Sequence, residues 1–313
     1  MEDIGKTRGR FKGALLGLAV CDALGTTVEF SSPGTFDPVT DITGGGPFHL
    51  PVGAWTDDTS MALCLAESLI EKQEFDPKDQ MERYVRWWRE GYLSSTGENF
   101  DIGIATSTSL RVFEETGDAY AGDRFPDSAG NGALMRLAPI ALAYSKNPVD
   151  LSAAAARSSR TTHGAIESVD SCRYYAELIA GALNGAPKEK LIGGEPFSLD
   201  GYFNLESEKV TEVAAGSFRE KEPPDISGGG YVIQTLEAAL WALHNSDDFK
   251  AGALKVVNLG DDADTTGAVY GQLAGAIYGV DAIPEGWLEK LVMREKIESY
   301  ADRLQRLGEK LAD

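Results

Sequence analysis

Apolar side chains recur at the spacing of amphipathic helices through most of the chain. A helix turns once in about 3.6 residues, so apolar residues at i, i+3 and i+4 line one face that can be buried. Segments with the strict alternation of a strand are few and short. The pattern therefore predicts an all-α protein, with helices at residues 12–24, 60–72, 79–89, 106–116, 133–144, 151–157, 165–183, 232–245 and 267–278.

Small residues occupy one face of the last predicted helix. Ala268, Gly271, Gly275 and Ala276 let a second helix axis approach closely. No shift in composition marks a domain boundary, so residues 1–313 are expected to form one domain. Long loops in a compact domain are usually functional or disordered. Irregular segments of this kind separate the helices at residues 31–55, 92–103, 120–132 and 184–230.

The charge balance limits which partners the protein can have. The chain has 49 Asp and Glu against 29 Lys and Arg, a formal net charge of −20. A strongly acidic protein is repelled by nucleic acid and by anionic membranes, so neither is expected as a partner. An anionic small substrate would have to be held by bound cations or by backbone N–H groups.

The apolar stretches and the cysteines both point to the cytoplasm. The longest apolar stretches, such as residues 14–20, fall short of the roughly 20 apolar residues that a bilayer requires. The charged N-terminus also has no signal-peptide core. Cys21, Cys64 and Cys172 are odd in number and widely spaced, so no disulfide framework is expected. We therefore expect a cytoplasmic protein.

Histidine is scarce, which restricts the kind of metal site the chain can build. His49, His163 and His244 are the only histidines in the sequence. Zinc sites of the His or Cys type need more imidazoles or thiolates than these can bring together. Any metal must therefore be held mainly by oxygen.

Two clusters of oxygen-bearing side chains directly precede predicted helices. One is Thr56-Asp57-Asp58-Thr59, and the other runs from Asp261 to Thr266. A helix start needs only one such residue as a cap, and each cluster alone fits a cap as well as a metal site. Adjacent carboxylates repel one another unless a cation binds, so together the clusters favour hard cations on oxygen ligands. They could close on a pair of ions about 3.5–4 Å apart.

Other candidate residues stay ambiguous when taken singly. Glu29, between Val28 and Phe30, is either exposed by alternation or tuned for acid–base work. Asp22 is a cap, a surface charge or part of a site. The segment Asp127–Gly132 has glycines that allow positive φ and let backbone N–H groups approach a ligand, although most such loops are plain turns. A lone histidine such as His163 is more often structural than functional.

Taken together, these motifs resemble the ADP-ribosylglycohydrolase family over nearly the whole chain. The double acidic signature, in this order and at this spacing, is its most specific mark. In chain order the matching motifs are Gly13-Ala14-Leu15-Leu16-Gly17, Asp22-Ala23-Leu24-Gly25, Glu29-Phe30, Gly44-Gly45-Gly46, Thr56-Asp57-Asp58-Thr59, Phe100-Asp101-Ile102-Gly103, Gly130 to Arg136, Thr162-His163, Gly230-Tyr231-Val232 and Gly260 to Gly267.

The resemblance implies a compact single-domain orthogonal bundle of α-helices with a binuclear Mg²⁺ or Mn²⁺ centre. It implies that Glu29 acts as an acid or base or positions a water, and that Asp101 faces the guanidinium of arginine-linked substrates. It also implies that Tyr231 lines the substrate cleft. The implied metal ligands are Thr56, Asp57, Asp58, Asp262, Asp264 and Thr265. The implied contacts to ribose and diphosphate are Ser128, Ala129, Gly130, Asn131, Gly132 and His163.

The implied activity is hydrolysis of the N-glycosidic bond between ADP-ribose and an arginine side chain, through an oxocarbenium-like state. The expected partner is an ADP-ribosylated protein or a small ADP-ribosyl conjugate, and the expected oligomeric state is a monomer. Alternatives are a hydrolase of serine-linked or O-acyl-linked ADP-ribose, and a catalytically silent ADP-ribose-binding or structural protein. The intact acidic clusters disfavour the silent protein, and Asp101 favours a cationic leaving group.

Three positions depart from the family pattern. Cys21 stands where a glycine usually precedes Asp22, which the small thiol should tolerate. Asp261 stands where relatives often have glycine, so it is left out of the ligand set. Ile104 stands where relatives often have asparagine. We expect this apolar side chain to change how the leaving group is held, by narrowing the space beside Asp101.

Overall fold

The structure is a computed structural model and describes residues 4–201 and 204–312. Within those residues the chain forms α-helices, short 3₁₀ turns and loops, and contains no strands. This confirms the prediction of an all-α protein. In chain order the helices are α1 (Ile4–Gly25), α2 (Asp57–Lys72), α3 (Pro77–Glu90), α4 (Ile104–Thr116), α5 (Ala138–Tyr144), α6 (Pro148–Arg160), α7 (Ile166–Leu183), α8 (Lys188–Leu191), α9 (Glu208–Ala214), α10 (Val232–His244), α11 (Phe249–Val257), α12 (Ala263–Tyr278), α13 (Glu285–Lys290) and α14 (Arg294–Leu311).

Each segment with a helical apolar pattern contains a helix, but one helix begins later than predicted. Residues 133–137 form turns, and α5 starts only at Ala138. Pro139 explains the difference, because its ring would clash with the carbonyl of Met135 in a continuous helix. The irregular segment predicted at residues 120–132 therefore extends to residue 137.

Five helices were not predicted from the apolar pattern. α8, α9 and α13 have 4, 7 and 6 residues, one or two turns that are too short for a periodicity to be read. The first two lie in the segment 184–230, which was expected to be irregular. α11 and α14 are longer, and α14 buries Ile297, Ala301 and Leu304 at helical spacing.

α1 and α12 pack antiparallel in very close contact. A Cβ on Gly271 would lie 2.1 Å from the carbonyl oxygen of Gly17, and one on Gly275 would lie 1.9 Å from that of Gly13. Backbones at this separation require glycine, which confirms the role predicted for the small-residue face. The packing sets the C-terminal end of α1 beside the N-terminal end of α12.

α1 is a core helix, although its composition is that of a membrane span. The window Gly5–Val28 is long and apolar enough to cross a bilayer by length and composition, and 89% of its most apolar part is buried inside the fold. The apolar segment is therefore longer than expected from the sequence. Residues 14–20 are only part of it, because glycines and polar residues divide a much longer apolar helix. Its partners in the fold include α12 and α14.

The three cysteines are buried and free, as their spacing suggested. Cys21 lies on α1, Cys64 on α2 and Cys172 on α7, each inside the hydrophobic core. Burial raises the pKa of all three thiols. They are therefore inert small apolar residues rather than nucleophiles.

Candidate active site

The acidic side chains converge where the end of α1 meets the starts of α2 and α12. These helices supply Asp22, Asp58 and Asp264, whose carboxylate oxygens lie within 4.8 Å of one another. Asp264 also belongs to a second group of the same size with Glu29 and Asp101. The two acidic clusters of the sequence thus close on each other, and Asp264 is common to both groups.

Helix capping does not account for the clusters. Thr56 and Asp262 occupy the N-cap positions of α2 and α12, and neither side chain accepts a capping hydrogen bond. Asp22 caps α2 from the neighbouring helix instead, accepting the backbone N–H groups of Thr56 at 2.9 Å and Thr59 at 3.1 Å. Because Asp22 provides the cap of α2, the carboxylates of Asp57 and Asp58 are not needed for that role.

Asp22 is the residue whose role the sequence left undecided and which was not among the predicted ligands. It is completely buried, and besides the two N–H groups it lies 2.6 Å from the hydroxyl of Thr59 and 3.0 Å from that of Thr56. The Thr56 hydroxyl is also 2.9 Å from Asp58. The available signal was a carboxylate inside the apolar run of α1, which a surface charge would not explain.

Several buried carboxylate oxygens have no hydrogen-bond partner among the described residues. They are Oε2 of Glu29, Oδ1 of Asp58 and Oδ1 of Asp264. A buried polar atom left unpaired costs about 1–3 kcal/mol, and more when it is charged. All three belong to the converging groups, so bound cations would satisfy them together.

Burial and crowding raise the pKa of these acids. Burial first, and then the charges of Asp101 and Asp262, raise the pKa of Glu29 to about 10. Burial first, and then the charges of Asp262 and Asp22, raise the pKa of Asp101 to about 7. The pKa values of Asp58 and Asp264 are raised well above the ordinary range by burial and neighbouring carboxylates. The groups cannot all be ionised at neutral pH without added positive charge.

The second cluster is tied to the first by polar contacts. The hydroxyl of Thr265 lies 3.4 Å from Asp58, and Asn131 donates to Asp262 at 2.8 Å.

Asp261 has a left-handed backbone, with φ of 53°, and its N–H donates to the carbonyl of Ser31 at 2.8 Å. Left-handed φ suits glycine best and tolerates aspartate, which fits the expectation that relatives often have glycine at this position.

The clusters open into a cavity of about 450 Å³. A second cavity of about 460 Å³ adjoins it, with Gly130 in both linings. Cavities of this size suit small organic ligands. Tyr231 lies in the second cavity with Glu167 and Lys209, away from the acidic groups. Thr56 and Asp58 are buried beneath the first cavity. Of the sequence-predicted site residues, that cavity is lined by Glu29, Asp57, Asp101, Gly130, Asn131, Gly132, His163, Asp262, Asp264 and Thr265.

Most amides of the loop before α5 are already used within the protein. The N–H groups of Ser128 and Ala129 donate to carbonyls of the same loop, and that of Asn131 donates to Gly230. The Ser128 hydroxyl donates to the carbonyl of Phe125 at 2.7 Å, so it points into the loop and lines neither cavity. Among the described residues, the Gly132 amide is left without an acceptor.

The glycines of this loop serve close packing rather than positive φ. Neither Gly130 nor Gly132 has a left-handed backbone. A Cβ would instead lie 3.2 Å from Nε2 of His163 at Gly130 and 2.8 Å from Cε1 of His163 at Gly132. The structure therefore corrects the interpretation that these glycines serve positive φ: they make room for the imidazole ring of His163.

The hydrogen bonds around His163 define its tautomer. Buried Arg136 donates to the hydroxyl oxygen of Thr162 at 2.7 Å, and that hydroxyl lies 2.8 Å from Nδ1 of His163. Arginine cannot accept, so the Thr162 proton goes to Nδ1 and the imidazole proton sits on Nε2. Burial, with the charge of Arg136, lowers the pKa of His163 to about 3. His163 is therefore a neutral donor at the cavity wall.

Asp101 and Ile104 frame one side of the cavity. Asp101 has a left-handed backbone, with φ of 57°, just before α4. Ile104 begins α4 and is 86% exposed. Ile104 lines the cavity from its solvent side, so it borders the entrance rather than filling the space beside Asp101.

The sequence matches the family model of ADP-ribosylglycohydrolase over residues 4–312. The chain is 43% identical over 293 residues to the ADP-ribosylarginine hydrolase Tri1 of Serratia proteamaculans, covering 94% of this chain and 78% of that protein. It is 36% identical over 305 residues to the ADP-ribosyl-[dinitrogen reductase] glycohydrolase of Rhodospirillum rubrum, covering 96% of each chain.

The fold is also similar to a solved structure described as an ADP-ribosylglycohydrolase-related protein complex. The TM-score is 0.86 at 48% sequence identity, over 97% of this chain and 100% of that chain. At this identity the similarity extends beyond fold to sequence along the whole length.

Proposed function

Since the chain belongs to the ADP-ribosylglycohydrolase family and is a hydrolase of that type, we propose that it hydrolyses the N-glycosidic bond of ADP-ribosyl-arginine on a modified protein. The observation that carries the proposal is the pair of carboxylate groups sharing Asp264 at a cavity that also contains Asp101. The relative from Serratia proteamaculans, named as an ADP-ribosylarginine hydrolase, supports arginine as the acceptor.

We propose that two divalent cations, Mg²⁺ or Mn²⁺, bind at the shared carboxylate groups. The donor set is oxygen alone, which these ions prefer and thiol-seeking ions do not. The unpaired oxygens of Asp58 and Asp264 fit this role, because a cation would satisfy both. Bound cations would supply Lewis acidity toward the ribose hydroxyls and the attacking water. The proposed ligands are Thr56, Asp57, Asp58, Asp262, Asp264 and Thr265.

Glu29 is proposed to take the proton of the attacking water. Its unpaired Oε2 belongs to the group that includes Asp264 and Asp101, and the residue lines the cavity. In the reaction the water oxygen bonds to C1″ of the ribose, and the bond from C1″ to the guanidine nitrogen breaks. The proton that Glu29 takes from the water passes on to the leaving guanidine as it departs, and Asp101 holds the resulting cation.

The neutral His163 and the free amide of Gly132 are proposed to bind ADP-ribose. Both are donors at the wall of the acidic cavity, and uncharged or anionic oxygens of the substrate accept from donors. Tyr231, with Lys209 beside it in the adjoining cavity, is proposed to contact the part of the substrate farther from the scissile bond.

The test compares leaving groups in the Asp101→Asn variant. If Asp101 holds a guanidinium, the charge-assisted hydrogen bond is worth about 1.5–3 kcal/mol. The variant should then lose about 10- to 150-fold in kcat/KM on ADP-ribosyl-arginine. On a serine-linked or O-acyl-linked substrate, any turnover should change much less.

Released ADP-ribose is the readout for both kinds of substrate. Asp247→Asn is the matched control, because Asp247 is exposed and lines neither cavity; it should leave both rates unchanged. Equal losses on both substrates in Asp101→Asn would remove the arginine assignment. Faster turnover of the serine-linked substrate by the unmodified protein would replace it.

A further inference from the structure

Exposed apolar side chains border the mouth of the acidic cavity. Phe30 is 67% exposed and Ile104 is 86% exposed, and both line the cavity that holds Glu29 and Asp101. Single exposed apolar residues are ordinary on a protein surface. Two large exposed apolar side chains at the entrance of one polar cavity are less common, because contiguous apolar surface usually marks a contact site.

The Phe30 side chain is held at this position by its backbone. Its φ is 60°, a left-handed conformation that is rare for a bulky residue. The Phe30 N–H donates to the carbonyl of Asp261 at 2.6 Å, and the N–H of Asp261 donates to Ser31 at 2.8 Å. These bonds fix the segment that carries Glu29 to the segment that carries Asp262. Backbone strain of this kind persists only where surrounding contacts impose it.

Two further aromatic rings extend this apolar surface. The Phe30 and Phe48 rings meet edge to face with centroids 6.3 Å apart, and Phe48 and Phe100 lie 5.3 Å apart. Phe100 directly precedes Asp101, and Ile104 follows three residues later. We call these four side chains, Phe30, Phe48, Phe100 and Ile104, the apolar rim.

We propose that the apolar rim binds the polypeptide that surrounds the modified arginine, so that the enzyme prefers protein-attached ADP-ribosyl-arginine over the free conjugate. This inference rests on the proposed function. With ADP-ribose in the cavity, the aliphatic part of the arginine must leave through its mouth and cross the rim. The flanking residues of the substrate protein then lie over Phe30 and Ile104.

The charge of the molecule makes such an uncharged contact useful. At a net charge of −20 the surface repels acidic proteins. Burial of apolar area does not depend on the sign of the partner's charge. The rim therefore favours a polypeptide with apolar side chains next to the modified arginine, whatever the net charge of that protein.

The experiment measures kcat/KM for two substrates, a protein carrying ADP-ribosyl-arginine flanked by apolar residues and free ADP-ribosyl-arginine. The variants are Phe30→Asn, because asparagine tolerates left-handed φ, and Ile104→Ser. Each should lower kcat/KM on the protein substrate about 5- to 20-fold, mainly through KM, a range that corresponds to a change of about 1–2 kcal/mol. Each should lower kcat/KM on the free conjugate by a smaller factor, because that substrate has no flanking residues to lie over the rim.

Val149→Ser is the matched control for Ile104→Ser. Val149 is 74% exposed in the first turn of α6 and lines neither cavity, so it should leave both rates unchanged. Turnover of the free conjugate also verifies that each variant is folded. Equal losses on both substrates, or no loss on the protein substrate, would overturn the role of the rim. Failure of the unmodified protein on both substrates would instead overturn the proposed function.

Discussion

At the scale of single residues, burial raises the pKa of Asp264 and lowers that of His163, because it favours the neutral form of each side chain. Asp264 is crowded by other carboxylates, which raise its pKa together with burial. His163 is buried against Arg136, which lowers its pKa with burial. The first residue therefore needs positive charge to ionise, whereas the second stays neutral and keeps its Nε2 proton for a ligand.

His163 should make the protein less stable as the pH falls. Its pKa in the folded state is about 3, and that of an unfolded histidine is about 6.5. The unfolded chain thus binds the proton first, and the stability is lost progressively below pH 6.5. The loss between pH 7.5 and 5.5 should be about 1.4 kcal/mol.

Urea unfolding of the unmodified protein and of His163→Gln at pH 7.5 and 5.5 measures this contribution. The pH-dependent fall in the free energy of unfolding should be smaller in the variant by about 1.4 kcal/mol. Both proteins are kept in chelator, so that titration of the carboxylates affects them alike and cancels. The same pH dependence in both proteins would mean that the pKa of His163 is the same in the folded and the unfolded chain.

At the scale of elements, the α1–α12 contact places the acidic groups. Gly13 and Gly17 face Gly275 and Gly271 across the interface. This antiparallel packing brings Asp22, near the end of α1, to Asp264 at the start of α12, and the N-terminus of α2 meets them there. A change in the glycine contacts should therefore affect both stability and the site.

Gly275→Ala should destabilise the fold. The added Cβ would lie 1.9 Å from the carbonyl oxygen of Gly13, so the helices must separate. Overpacking of this kind typically costs about 1–3 kcal/mol. Thermal unfolding should show a lower midpoint, and turnover should fall as Asp22 moves relative to Asp264.

Gly286→Ala is the control for this substitution. Gly286 lies on α13 and a Cβ there would meet no atom within 4 Å. Alanine favours helix more than glycine by about 1 kcal/mol, so this variant should melt at the same or a higher temperature. A Gly275→Ala variant as stable as the control would contradict the close packing of α1 and α12.

At the scale of the whole molecule, the acidic centre makes stability depend on cations. Buried carboxylates that repel one another destabilise the folded chain, and cations bound only in the folded state stabilise it. At a cation concentration about 100 times the Kd, the stabilisation should be about 2.7 kcal/mol. Mg²⁺ should therefore raise Tm in a concentration-dependent way.

Asp264→Asn separates the two effects. In chelator the variant should melt above the unmodified protein, because the buried carboxyl of Asp264 ionises only in the unfolded chain, which favours unfolding, and an amide does not ionise. In saturating Mg²⁺ the order should reverse, because the shared ligand is lost. Thermal melts of both proteins in both buffers measure these Tm values. If Mg²⁺ does not change the Tm of the unmodified protein, the proposed cation sites are contradicted.

The sequence by itself determined the helical fold and pointed to residues most of which line one cavity. The period of the apolar residues indicated the long helices, because burial of one face requires that spacing. Clustered carboxylates with little histidine indicated oxygen ligands, since like charges are not kept adjacent without compensation. The structure confirms the helices, whose pattern depends on neighbours along the chain, whereas the oxygen-ligated metal centre stays a prediction.

The tertiary structure decided what depends on residues distant in sequence. Asp22 is a cap for α2 and joins Asp58 and Asp264, which its position in α1 could not reveal. The loop glycines make room for His163 rather than adopting positive φ, because the ring that needs the space comes from another segment. Ile104 borders the cavity mouth and is exposed. Burial and distance are properties of the packed chain, so only the fold assigns them.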